Sequence, residues 1–377
     1  MTLSDLPTPA VLVDRPRALA NIDRMQEAAD KRGIRMRPHA KTHKSPTVAR
    51  WQIDRGAIGI CCAKLGEAEV FAAAGFTDIR VPYPINPVNA PRVLTLLERT
   101  DFSFIVDHLE VARGWSAAMA AAGRTVDVLV KVDVGFHRCG IDPDPRKAVN
   151  FITAVAGLPG LRLRGLLAHA GHAYHATSPD HLLSIAEDEA RTLRALADAA
   201  RGQKVHIDEL SAGATPTARF SLGQDGLTEY RAGNYVYYDR TQVGLGAAAL
   251  DDCALSVLAT VVSKPTADRI VLDCGSKTLA ADLARGFSPL PGHGVIFRDL
   301  ATRSGQRPDD DLIVERLSEE HATVRAASGH TPLEPGERVR VVPNHACVVS
   351  NLVDQAWVTD GASVVEPLPI AARGRIT

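Results

Sequence analysis

Between residues 34 and 239 the chain repeats one rhythm, a short β-rich run followed by an amphipathic helical stretch. The runs are IRMRPHA (34–40), IGICCA (58–63), IRVPYP (79–84), FSFIVD (102–107), VDVLVKVD (126–133), LRLRGLLAHA (161–170), VHIDELSAG (205–213) and TEYRAGNYVYYD (228–239). Stretches such as SPTVARWQIDRG, KLGEAEVFAAAG and SIAEDEARTLRALADAAR lie between them, several closed by a glycine that suits a helix C-terminus. Strands alternating with helices form parallel sheets, and eight such units are what a closed (β/α)8 TIM-type barrel requires. An open doubly wound sheet is the alternative.

After residue 245 the texture changes. CALSVLATVVSKP, DRIVLDCGS, HGVIFRDL, HATVRAAS, RVRVVPNHACVVSNL and ASVVEPLPI read as strands, with turns and no convincing helix between them. We therefore expect a barrel over 1–245 and an all-β C-terminal domain over 246–377, with the opening strand PAVLVD a candidate to pair with the latter. A net charge of −1 without long like-charge runs gives no footprint for nucleic acid. No apolar run reaches membrane-helix length, the N-terminus lacks a signal-peptide layout, and six cysteines are too few for a disulfide scaffold. The expectation is a cytoplasmic protein with reduced thiols.

A barrel's active site lies at the C-terminal ends of its strands. Strand one ends in RPHAKTHK, with His39, Lys41, His43 and Lys44, and strand three ends at Tyr83. Strand five runs into DVGFHRCG, with Asp133, His137 and Arg138, and strand six into HAGHAYH, with His169, His172, Tyr174 and His175. Strand seven ends in SAGATPT (Ser211, Thr215, Thr217) and strand eight carries RAGNYVYYD. Each residue alone reads as a solvated loop group; gathered on one face they point to catalysis. The two small, glycine-containing turns on the last strands offer backbone N–H groups to a phosphate, the usual place for one in such barrels. A phosphate cradle, a strand-end lysine and a ring of basic and aromatic groups together suit pyridoxal phosphate, whose lysine must present a neutral amine. Near the other end, PNHAC sets His345 and Cys347 two residues apart, on one face if the segment is a strand. Taken alone, the two are half of a metal site or a buried histidine beside an inert thiol.

Together RPHAKTHK, DVGFHRCG, HAGHAY, AGATPT, RAGNYVYYD and PNHAC resemble the D-threonine aldolase / D-serine dehydratase family, fold-type III pyridoxal-phosphate enzymes related to alanine racemase. The likeness runs over nearly the whole chain. It implies that Lys41 forms the Schiff base, that Arg138 faces the cofactor's phenolic oxygen, and that His39, His169 and Tyr174 line the ring. By the same resemblance Thr215, Gly233 and Asn234, helped by Gly213 and Tyr235, hold the phosphate, and Arg231 faces the pyridine nitrogen. His345 and Cys347 match the family's divalent-metal pair (zinc or manganese), SEEH (318–321) is similar to a nearby loop, and a homodimer is implied.

Racemisation needs a second acid/base, a tyrosine from the β domain, but all six tyrosines precede residue 240. A pyridoxal-phosphate carrier protein would lack the second domain. What remains is a metal-assisted lyase acting on a small β-hydroxy-D-amino acid. Cys347 resembles the dehydratases, whose metal pair is His-x-Cys and which release a 2-oxo acid and ammonia. His175 aligns with the histidine that takes the hydroxyl proton in the aldolases, which release glycine and an aldehyde. The residue balance favours the aldolase, with the dehydratase as alternative.

Overall fold

The computed structural model describes residues 1–377. Strand β1 (Ala10–Asp14) is followed by β2 (Arg35–Met36), β3 (Ile60–Cys61), β4 (Asp78–Pro84), β5 (Asp101–Val106), β6 (Val126–Lys131), β7 (Leu161–Leu167), β8 (Glu209–Ala212) and β9 (Glu229–Tyr230). The eight strands from β2 onward are all parallel, in the order β2-β9-β8-β7-β6-β5-β4-β3. The two ends of that order meet. The Ile58 amide donates to the Met36 carbonyl (2.9 Å), the Cys61 amide to that of Pro38 (2.8 Å), and His39 and Cys61 form a parallel bridge. The expected barrel is therefore present and closed, although most strands are shorter than the β-rich runs. The last run remains a strand only over Glu229–Tyr230 before it turns through a 3₁₀ segment at Asn234–Val236.

Part of the barrel interior is ionic. Glu229, fully buried, accepts from Arg37 Nε (2.7 Å), Arg80 Nη1 (2.6 Å) and Ser211 Oγ (2.6 Å), and Arg80 Nη2 reaches Glu209 at 2.9 Å. Burial alone would raise the Glu229 carboxyl; the two guanidiniums outweigh it and hold the group well below its ordinary range. Removing one partner of such a cluster strands the other charges in a dry interior. Glu229→Gln is expected to destabilise the fold by ~3–5 kcal/mol, measured as a loss of unfolding free energy in denaturant at neutral pH. Because its folded pKa lies below its unfolded value, this contribution is present at neutral pH and disappears only in acid below the usual carboxylate range.

The second region is a nine-stranded sheet built from β1 and from β10 (Leu255–Thr266), β11 (Arg269–Leu272), β12 (Gly294–Phe297), β13 (Leu312–Leu317), β14 (Ala322–Ala326), β15 (Arg338–Pro343), β16 (Gln355–Asp360) and β17 (Ser363–Pro369). Strand β1 lies antiparallel to β10 and parallel to β16. Its five residues are all buried and apolar but the last, AVLVD, as a strand covered on both faces must be. Two strands, β13 and β16, were not expected from the sequence. Two short helices, Ser276–Leu279 and Ala346–Leu352, correct the reading of this region as free of helix. The second of them breaks the run RVRVVPNHACVVSNL: β15 stops at Pro343, His345 becomes the N-cap, and the Ala346 amide donates to Asp239 Oδ2 at 3.0 Å. A buried carboxylate at a helix N-terminus satisfies an orphan donor that a continued strand would have left facing it. No helix is long and apolar enough to cross a membrane.

Candidate active site

The C-terminal ends of the barrel strands open into a cavity of about 820 Å³ whose far wall is supplied by the β-rich region. Lys41 sits in a 3₁₀ turn, Ala40–Thr42, directly after β2, and its amide is fixed by His39 Nδ1 (3.3 Å). His39, Arg138, His169, Tyr174, His175, Gly213, Thr215, Arg231, Gly233, Asn234, His345 and Cys347 line the same space. Lys41 and Cys347, more than three hundred positions apart, thus line one cavity.

The turns after β8 and β9 are held close by their glycines. A Cβ at Gly213 would come within 2.8 Å of the Arg231 backbone, and one at Gly233 within 2.9 Å of the His39 carbonyl. The Thr215 hydroxyl is buried without a partner, and the Thr215 and Gly233 amides make no backbone hydrogen bond. Such unsatisfied donors in one turn pair are what an anion cradle presents. Arg231 is fixed by Ser211 Oγ (2.6 Å) and by the Ala168 carbonyl, while His169 Nδ1 meets the Gly213 carbonyl (2.5 Å).

Lys41 opens into the cavity yet lies deep in the protein, and that burial, aided by Arg138 and Arg231, lowers its pKa below the ordinary lysine value. His39 and His169 are held well below the ordinary imidazole value by burial and then by Lys41, so both rings are neutral. Burial raises the Tyr174 phenol, which Gln242 Nε2 approaches at 3.3 Å. For His345 and Cys347 burial opposes charge, but their mutual hydrogen bond prevails: the thiol is lowered and the imidazole raised to about 10. Each group thus favours the charged form of the other. The pair's outer partners are Thr42 Oγ1 (3.2 Å) and Asn234 Nδ2 (3.5 Å) on the sulfur and Asp282 Oδ2 (2.5 Å) on His345 Nδ1.

Several strand-end residues lie elsewhere. Tyr235 is not part of the lining; its phenol accepts from Gln52 Nε2 (3.0 Å), which leaves only its backbone to the phosphate turn. His43 is a core residue, edge-on to Phe71 and depressed to about 4 by burial, and Lys44 forms a buried ion pair with Glu67 (2.5 Å). His137 and Asp133 pair with each other (2.9 Å), Tyr83 lies under Lys64, and His172 stands against Gly135, all outside the cavity lining. The Ser318–His321 loop joins β13 to β14 and pairs with Lys277, also away from the cavity.

Five contributors went unforeseen. Lys131, at the end of β6, was hidden within an apolar run; burial lowers it and raises its neighbour Glu189. Asp239 and Gln242 flank the start of the helix Arg240–Gly244, with the Asp239 carboxylate bonded to Asn234 Nδ2 (2.6 Å). From the loop after Leu279 come Asp282 and Arg285, the latter with Nη1 2.8 Å from His175 Nδ1.

A lysine beside an anion cradle at the mouth of a (β/α)8 barrel, closed over by an antiparallel sheet, defines a fold-type III pyridoxal-phosphate enzyme. Residues 13–241 match the model of the alanine racemase N-terminal domain, and 254–359 that of a putative serine dehydratase domain. The chain belongs to the D-threonine aldolase / D-serine dehydratase family of pyridoxal-phosphate lyases. It is 35% identical over 373 residues to D-threo-3-hydroxyaspartate dehydratase of Delftia sp. (strain HT23), covering 96% of this chain and 97% of that one. It is 33% identical to D-threonine aldolase of Arthrobacter sp, covering 99% and 94%. A solved D-threo-3-hydroxyaspartate dehydratase, a cysteine-to-alanine variant in the metal-free form, superposes with a TM-score of 0.91 at 33% identity over 98% of each chain.

Proposed function

We propose that this chain is a pyridoxal-phosphate and divalent-metal lyase of β-hydroxy-D-α-amino acids that breaks the Cα–Cβ bond, releasing glycine and an aldehyde. The observation that carries the reading is the placement of His175 in one cavity with Lys41 and the His345–Cys347 pair. Arg285 Nη1, a donor only, lies 2.8 Å from His175 Nδ1 and holds the ring beside the wall that carries His345 and Cys347.

The residues present fit the cofactor. The buried, unpartnered Thr215 hydroxyl and the free turn amides suit its phosphate, together with Gly213, Gly233 and Asn234. Lys41, whose pKa is lowered by burial, supplies the amine for covalent attachment, and Arg138, Arg231, His39, His169 and Tyr174 surround the ring position. When bound, pyridoxal phosphate supplies an electron sink for the pair left on Cα. The sulfur of Cys347 and the ring of His345 suit a soft-to-borderline cation such as zinc, which would displace their protons. Such a cation supplies Lewis acidity at the β-hydroxyl. His175 takes the hydroxyl proton as the Cα–Cβ bond breaks, and Lys41 returns a proton to Cα before glycine leaves.

A second reading, loss of the hydroxyl to give a 2-oxo acid and ammonia, is favoured by the cysteine at 347, two residues after His345. Product analysis separates the two. Purified holoenzyme incubated with D-threonine, D-serine and D-threo-3-hydroxyaspartate is expected to form glycine and an aldehyde in equal amounts. Pyruvate or oxaloacetate with ammonia, and no glycine, would establish the dehydratase instead.

A further inference from the structure

We propose that Arg285 is the specificity-determining residue for a second, side-chain carboxylate, so that the preferred substrate is a β-hydroxy dicarboxylic D-amino acid of the 3-hydroxyaspartate type. This inference rests on the lyase reading above. The other arginines and lysines of the cavity, among them Lys41, Lys131, Arg138 and Arg231, come from the barrel strand ends. Arg285 alone comes from the β-rich wall, the side that carries His345 and Cys347, and it touches His175. That is the end of the cavity to which the substituents of Cβ are assigned. No carboxylate of the chain forms an ion pair with its guanidinium, although the neighbouring Asp282 is engaged by His345 at 2.5 Å. Contact with an imidazole leaves most of its five donors unused, and a forked guanidinium is shaped for a carboxylate.

The loop does not need that side chain as a fastener. The Arg285 amide donates to Thr241 Oγ1 (3.2 Å) and the Phe287 amide to the Gly244 carbonyl (3.0 Å). Gly244 and Gly286 pack so closely that a Cβ on Gly286 would come within 2.9 Å of Gly244 Cα. The backbone thus fixes the Cα of Arg285 at this wall, and the His175 ring is the guanidinium's contact there before a ligand arrives. A substrate ending in a methyl or a hydrogen at Cβ leaves the charge facing nothing that can accept from it.

The test compares D-threo-3-hydroxyaspartate with D-threonine in the holoenzyme and its Arg285→Ala and Arg285→Lys variants. Arg285→Ala is expected to lose on the order of 100-fold in kcat/KM for the dicarboxylate, chiefly through KM, with a loss at least tenfold smaller for D-threonine; Arg285→Lys recovers part of the difference. In parallel, calorimetry with D-malate and 3-hydroxybutyrate, which lack the amine, should show the holoenzyme preferring the two-carboxylate probe and Arg285→Ala abolishing that preference. Equal losses on both substrates, or D-malate binding unchanged by the substitution, would overturn the assignment. A holoenzyme that forms no product from either substrate overturns the lyase reading, and the D-malate comparison still decides the role of Arg285.

Discussion

Lys41→Ala should yield a folded, colourless protein with no detectable turnover, a loss of at least ~10⁴-fold. Two functions leave with one side chain. The ε-amine is the only neutralisable nucleophile in the 3₁₀ turn that opens the cavity, and it is also the group placed to return the proton to Cα. Its lowered pKa comes from burial reinforced by Arg138 and Arg231, so no other lysine inherits the same environment. Lys131 is also buried and lowered, but it lies on a different strand beside Glu189 and donates to its own neighbour's carbonyl (3.2 Å). Absorbance spectra of the dialysed variant measure covalent attachment, and the product assay measures turnover. Retention of the yellow colour after dialysis would place the cofactor on another amine. The fold should survive, because Lys41 makes no side-chain hydrogen bond or ion pair in the chain and projects into open space.

The second large effect is expected at the other wall. Chelator treatment, or either of His345→Ala and Cys347→Ala, should lower kcat/KM by roughly 10²–10³-fold while leaving the visible absorbance intact, corresponding to the several kcal/mol that a Lewis acid contributes at a developing alkoxide. Added zinc should restore the chelated wild type and fail to restore either variant. Metal content by atomic emission, measured with activity, checks both arms. Full turnover in protein stripped of metal would remove the cation from the reaction and leave the His345–Cys347 pair itself as the chemistry of that wall.

The division between what could be read in advance and what could not follows the range of the physical signal. Strand-end residues such as Lys41, His169 and Thr215 announced themselves because alternation of strand and helix is a local pattern and the barrel rule then places every strand end on one face. Tyr235 carried the right spacing, but the 3₁₀ turn at Asn234–Val236 rotates its phenol outward to Gln52. The helix at Ala346 was invisible because its start is fixed by Asp239, more than a hundred residues earlier. Its Val348 and Val349 are β-branched and, after the RVRVV run, read locally as strand. Arg285 and Asp282 had no signal at all: a polar loop looks the same whether it faces solvent or is clamped over a cavity by a Gly244–Gly286 contact.

The five residues of β1 leave the barrel's own sheet and spend their hydrogen bonds on β10 and β16. During synthesis this strand precedes both partners: its β10 edge waits until Leu258 has been made and its β16 edge until Thr359, some 345 residues after Asp14. The ribosome-bound chain therefore carries an apolar AVLV edge for most of its production, an exposure that favours misassociation. A barrel truncated after residue 245 inherits the same orphan edge permanently, so the two regions form one production unit even though each has its own sheet.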